Sequence, residues 1–180
     1  MKILAIPASS SQNSINRQLL TYAARLIDDG LIPDATVEML DLNDYEMPIF
    51  SVDREEANGI HELAQQFFDK ITAADAVIVS FAEHNGSYTA AWKNVYDWAS
   101  RIDMAVYQGK KVAMFAATPG GRAGAGVLGS ATSAAPFFGA ELVGSLGVGT
   151  FYDTFDGEAG EIIDSDLNAQ FKEILASLAS

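Results

Sequence analysis

A chain of 180 residues, 49% hydrophobic and 19% charged, can bury about 70% of its unfolded surface in one core, and wholesale disorder is excluded. Its formal net charge of −13 repels phosphate backbones and anionic bilayers, and no basic cluster longer than Lys110-Lys111 offsets it. Neither a nucleic acid nor a membrane is therefore expected as a partner. The chain has no cysteine, which removes disulfides, thiol nucleophiles and cysteine metal sites together and suits a reducing cytoplasm. The N-terminus passes from Met1-Lys2 straight into an apolar run without a signal-peptide pattern, so a cytoplasmic location is expected.

Five short apolar runs read as buried strands: Ile3 to Pro7, Thr36 to Leu40, Ala76 to Val79, Lys111 to Ala116 and Glu141 to Val148. Between them run helical stripes. Ile15, Leu19, Tyr22 and Leu26 form one; Ile60, Leu63, Phe67 and Ile71 the next; then Ala91, Val95, Trp98 and Ile102; and finally Leu167, Phe171, Ile174 and Leu178. The uncharged-to-small segment from Ala123 to Ala140 is too rich in Gly, Ser and Thr for a membrane span and reads as a helix lying close against a sheet. The acidic segment Tyr152 to Asp166 reads as an irregular surface excursion. Regular β-α alternation with continuous apolar strands predicts one α/β domain over residues 1–180. Its parallel sheet should have the order 2-1-3-4-5, with helices on both faces.

In open parallel sheets, ligands bind beyond the carboxyl ends of the strands, where the strand order reverses. Three loops qualify. The first runs from Ala8 through Ser9, Ser10, Ser11, Gln12, Asn13, Ser14, Ile15 and Asn16 to Arg17. It leaves a strand and enters a helix, so its hydroxyls, amides and free backbone N–H groups make a phosphate cradle without needing a positive charge. One residue, Ser14 or Asn13, would suffice merely to cap the helix. Ser9, Ser11, Ser14 and Asn16 are the expected phosphate contacts. The loop lacks the Lys and glycine spacing of a nucleotide-hydrolysing P-loop.

The second loop, Glu83-His84-Asn85-Gly86-Ser87-Tyr88, carries an Asn-Gly pair that predicts a tight turn at positive φ. The third, Thr118-Pro119-Gly120-Gly121-Arg122-Ala123-Gly124, lets backbone approach a flat ring closely. Asn85, Gly86, Gly120 and Gly121 are the expected ring contacts. The stretch Gly124 to Gly129 matches the dinucleotide fingerprint GxGxxG. It sits well past the fourth strand, far from the first β-α turn, so close helix packing accounts for it better. His61 reads as a solvated helix residue, and His84 as a residue near the ligand. No spacing of histidines or carboxylates suggests a metal site, and no GxSxG elbow suggests hydrolysis.

Taken in order, these loops resemble the NADPH-dependent FMN reductase family, which includes related quinone, azo-dye and chromate reductases. Ser9 to Arg17 is similar to its phosphate loop, S-x-R-x-x-S-x-N-R. Glu83-x-Asn85-Gly86-Ser87, with Lys93-Asn94 and Asp97-Trp98, resembles its E-Y-N-G-S…K-N…D-W motif. Pro119-Gly120-Gly121-Arg122 matches its third flavin loop, and Tyr152-x-x-Phe155-Asp156 with Gly160 its C-terminal excursion. Ser11 stands where the family has arginine, Ala82 where it has proline, His84 where it has tyrosine, and Thr89-Ala90 where it has Pro-Gly. The resemblance implies a flavodoxin-like fold, FMN as cofactor, NADPH or NADH as donor and a small-molecule electron acceptor. Two alternatives share the fold: an electron-transfer flavoprotein without NAD(P)H activity, and a flavin-free binding protein.

On the helix after the second loop, Ala91, Val95, Trp98 and Ile102 are expected to meet the sheet. Tyr88, Trp92, Tyr96 and Ala99 form a second stripe, expected to lie bare. Aromatic clusters of this kind anchor interfaces. With the family's habit of dimerising, the stripe leads to the expectation of a homo-oligomer, dimer or tetramer.

Overall fold

The computed structural model describes residues 1–180. Five strands, β1 (Lys2–Ala8), β2 (Thr36–Met39), β3 (Ala76–Phe81), β4 (Lys111–Ala117) and β5 (Glu141–Val148), form one parallel sheet in the order β2-β1-β3-β4-β5. The expected order is therefore the observed one. Strand alternation divides the core. Leu4, Ile6, Val77, Val79, Val112 and Met114 face α3 (Glu62–Ala73), α4 (Ala90–Ala99) and α5 (Ala125–Ala134). Ile3, Ala5, Ala76, Ile78, Ala113 and Phe115 face α1 (Ile15–Leu26) and α7 (Ser165–Ala176). Both sheet faces are covered, which is why these strands read as unbroken apolar runs. No helix is long and apolar enough to cross a membrane.

Several expectations need correction. Ile60 precedes α3 and is exposed, because His61 caps that helix: its Nδ1 accepts a 3.2 Å hydrogen bond from the Leu63 N–H. His61 is half-buried at the cap rather than solvated within the helix. The acidic segment after β5 is not wholly irregular. A single turn, α6 (Phe151–Thr154), leads into a small hairpin of β6 (Phe155–Asp156) and β7 (Glu161–Ile162), and Phe151, Phe155 and Ile162 anchor it in the core. A short α2 (Val52–Asn58), capped by Ser51, was not signalled by any apolar stripe, since none of its residues is buried.

The largest correction concerns α4. Trp92 is 2% exposed and Ala99 fully buried. The Trp92 ring meets Phe81 of β3 edge-on at 5.5 Å and Phe67 of α3 at 6.1 Å, and Tyr96 meets Phe138 at 4.9 Å and Tyr107 at 5.8 Å. Trp92 and Ala99 thus pack within the same chain and Tyr88 and Tyr96 are half-buried, so the stripe does not lie bare as expected. The opposite flank of α4 is covered by the segment around Pro48. The Asn94 amide donates to the Met47 and Pro48 carbonyls and accepts from the Phe50 N–H, and the Trp98 indole N–H donates to Pro48 at 2.8 Å. Lys93 and Asp97 pair with each other at 2.7 Å on the solvent side.

Candidate functional site

At the carboxyl end of the sheet, all three candidate loops converge on one cleft of about 520 Å³. Ser9, Ser11, Ser14, Ile15 and Asn16 line it from the first loop, Glu83 and His84 from the second, and Pro119, Gly120, Gly121 and Arg122 from the third. Asn13, Ala82, Ala117, Thr118 and Tyr152 complete the lining. Asn85, Gly86 and Ser87, all solvent-exposed, form the turn beside the cleft and are not part of its lining.

The first loop earns its place through unused donors. Ser14 caps α1 by accepting from the Arg17 N–H at 3.3 Å, and Ser9 Oγ accepts from the Ser11 N–H at 3.2 Å. Both hydroxyls serve as acceptors within the protein, so their own hydrogens remain to donate outward. The Ile15 and Asn16 amides of the first helical turn have no protein acceptor, as a helix start leaves them. Hydroxyls and amides at the positive end of a helix dipole together suit an anion.

Asn16 plays a different part from the one expected. Its side chain is 1% exposed and turned inward. Its Oδ1 accepts from the Ser80 hydroxyl at 2.7 Å and from the Ala117 N–H at 2.8 Å, while its Nδ2 donates to the Ala117 carbonyl at 3.1 Å. The amide thus ties α1 to β3 and β4 beneath the cleft, and only its backbone N–H is left for a ligand. Arg17 also turns away, pairing with Asp41 at 2.7 Å. The Asp41 carboxyl is held below its ordinary value, chiefly by the Asn43 N–H it caps and further by Arg17.

The second loop is a two-residue hairpin turn. Asn85 and Gly86 take φ of 52° and 76°, and His84 and Ser87 exchange backbone hydrogen bonds of 2.9 and 3.1 Å. Glu83 does not face the cleft with a free carboxylate: its Oε1 accepts from the Val127 N–H at 3.0 Å, capping α5, whose own N-cap Gly124 has no side chain to do so. The dinucleotide-like glycines behave as close-packing residues. A Cβ on Gly124 would lie 2.5 Å from that of Ala116, and one on Gly126 only 2.6 Å from the Gly86 carbonyl oxygen.

The third loop presents open backbone. Gly120 would have nothing within 4 Å of an added Cβ, and Gly121 only the Thr150 methyl at 4.0 Å. Thr118 Oγ1 donates to the Gly120 carbonyl at 3.0 Å, which fixes the turn. Among the cleft residues Arg122 is the one cation and Glu83 the one acid. The cleft is therefore polar and close to neutral in a strongly acidic molecule, a setting in which N–H and O–H groups rather than net charge must hold an anion.

A family profile described as NADPH-dependent FMN reductase matches residues 1–152. The chain belongs to this family. It is 31% identical over 120 residues to an NAD(P)H-dependent FMN reductase of Pseudomonas aeruginosa, covering 67% of this chain and 61% of that protein. To the NAD(P)H:quinone oxidoreductase of Solanum tuberosum it is 32% identical over 120 residues, covering 67% and 60%. The chain thus spans about three fifths of the length of these relatives. In fold it is similar to FerB, a flavoenzyme NAD(P)H:(acceptor) oxidoreductase from Paracoccus denitrificans, with a TM-score of 0.77 at 20% identity over 99% of this chain and 94% of that one.

Sequence reasoning missed Tyr152 as a lining residue. Its signals were its place at the head of the family-like C-terminal excursion and its position just past the carboxyl end of the fifth strand. It also missed the reason for Asn94 and Trp98 in the family motif, which hold the Pro48 segment against α4 and do not reach the cleft.

Proposed function

We propose that this protein is an NAD(P)H-dependent FMN or quinone-type reductase. The observation that carries the reading is the convergence, in one polar cleft, of the free first-turn donors of α1 with the open Gly120-Gly121 backbone. The residues fit FMN. Ser9, Ser11 and Ser14 hydroxyls with the Ile15 and Asn16 amides would hold its phosphate, and the third loop with His84 would border its ring. FMN supplies the redox chemistry when bound, taking hydride from a reduced nicotinamide and passing electrons to a small acceptor such as a quinone. The chain's own task is positioning. Asn16 fixes the first turn to the sheet, Glu83 fixes the second loop to α5, and Gly120-Gly121 leave room for a flat ring. No acid–base pair is needed for that work.

The family, the missing cysteine and the charge of −13 support a cytoplasmic enzyme that engages no nucleic acid. If the enzyme self-associates, its contact lies away from the covered Trp92 stripe; the exposed Ile49 and Val52 beside the Pro48 segment offer apolar surface instead. Aerobic oxidation of NADPH and of NADH, with FMN and a benzoquinone added, tests the function. Turnover dependent on FMN supports it. FMN binding without NAD(P)H oxidation would mark an electron-transfer flavoprotein, and no FMN binding a flavin-free protein.

A further inference from the structure

A flat heterocycle needs apolar or aromatic area on at least one side, and pockets for such ligands are ordinarily rich in it. This cleft is poor in it. Apart from Ile15, Pro119, three small residues of Ala or Thr type and two rings, its walls are hydroxyls, amides, glycine and the charged Glu83 and Arg122. Only two rings border it, His84 and Tyr152, and Tyr152 is its one tyrosine or tryptophan. Tyr152 is also 73% exposed, and of the seven large hydrophobic side chains left bare by the fold it alone lines the cleft.

Its backbone is fixed all the same. The Thr150 N–H donates to the Gly120 carbonyl at 3.2 Å and the Phe151 N–H to the Thr118 carbonyl at 3.1 Å, so α6 is bolted to the third loop. Thr150 takes a left-handed φ of 43° to make that turn, a conformation a β-branched residue rarely adopts. On the inner side Phe151 is 1% exposed and stacks on Phe155 at 4.6 Å and 18°. One ring of the turn is thus anchored in the core, and the next is held out over the mouth of the cleft, meeting only the Phe151 ring edge-on at 5.9 Å.

We propose that Tyr152 is the aromatic wall of the cleft, the residue that packs against the planar ring system bound at Gly120-Gly121 and shields it from water. This rests on the flavin reading above. Stacking of an aromatic side chain on a flat ring is favourable beyond the area it buries, and a tyrosine whose backbone is already fixed has only its side-chain rotamer to order in making it.

The test is an FMN titration of the purified apoprotein as wild type, Tyr152→Phe and Tyr152→Leu, following flavin absorbance for binding and flavin emission for contact. A phenol ring touching a flavin quenches its emission, whereas a phenyl ring stacks without quenching. The wild type should bind FMN and quench it. Tyr152→Phe should bind with unchanged affinity yet leave the bound FMN several-fold brighter, and Tyr152→Leu should be bright and bind about tenfold more weakly. Circular dichroism should be the same for all three, since Tyr152 is exposed and its neighbour Phe151 is held in the core by Phe155. Wild-type affinity together with wild-type quenching in Tyr152→Leu would overturn the proposal while leaving the flavin reading intact. Failure of the wild type to change FMN absorbance would overturn both.

Discussion

Gly126 of α5 lies against Gly86 of the second loop so closely that a Cβ on Gly126 would sit 2.6 Å from the Gly86 carbonyl oxygen and 2.7 Å from Glu83 Oε1. The glycine lets α5 and the Asn-Gly turn touch, and the touch places His84 at the cleft. Gly126→Ala sets two effects against each other. Alanine gains up to about 1 kcal/mol of helix propensity, while overpacking against backbone costs about 1–3 kcal/mol. The obstacle is backbone and cannot rotate aside, so the variant should be less stable and bind FMN more weakly. Gly129 of the same helix has nothing within 4 Å of its added Cβ, so Gly129→Ala should instead raise the melting temperature. Paired thermal melts read the two signs.

Asn16 is expected to matter for stability before it matters for binding. Asn16→Ala leaves the Ser80 hydroxyl and both polar groups of Ala117 without their present partner under α1. A buried polar group left unpaired costs about 1–3 kcal/mol, so denaturant unfolding should show a loss of several kcal/mol. Ser80→Ala removes only one of the three bonds and should cost about 1 kcal/mol.

Ser11 stands where the family's phosphate loop has arginine, and its exposed side chain lines the cleft. A charge-assisted hydrogen bond contributes about 1.5–3 kcal/mol, against about 0.5–1.5 for a neutral one. Ser11→Arg should therefore tighten FMN about tenfold, one decade being 1.4 kcal/mol. Isothermal titration checks it; unchanged or weaker binding would show that this loop does not hold the phosphate.

Tyr107 is buried against the half-buried Tyr96, Tyr88 is half-buried nearby, and desolvation pushes all three phenols above their ordinary value near 10. The folded state therefore keeps protons that the unfolded state gives up. Their contribution to stability should be flat below about pH 10 and fall as pH rises beyond it, by up to about 1.4 kcal/mol per pH unit for each such tyrosine. Tyr107→Phe should flatten the fall. Phenolate absorbance from these residues should emerge with unfolding rather than before it.

The sheet, its order and the three loops were legible because their signals are local: continuous apolar strands, a hydroxyl-rich strand-to-helix turn, an Asn-Gly pair and a Pro-Gly-Gly run. What escaped depends on partners distant in sequence. The Trp92 stripe has the spacing of a free face, and only α3, the turn holding Tyr107 and the segment at Phe138 reveal that it is covered. Asn16 and Ser11 look alike in a polar loop, yet one position of the helix start points into the sheet and the other into solvent. Glu83 belongs to a loop and motif that point to the ligand, while the fold gives its Oε1 to the Val127 N–H of α5. The turn bearing Tyr152 follows β5 after only Gly149 and Thr150, too short a stretch to stand out as a binding loop.

The proposed function requires that the three loops form one flavin-binding cleft served by a reduced nicotinamide. Its most direct measurement is an anaerobic mixing experiment in which protein loaded with one equivalent of FMN meets NADPH, and in parallel NADH, while the flavin absorbance is followed. A single FMN should bind saturably, and its visible band should be bleached by at least one of the two nucleotides faster than free FMN is reduced under the same conditions. A protein that leaves the FMN spectrum unshifted, or bound FMN that bleaches no faster than free FMN with either nucleotide, would contradict it.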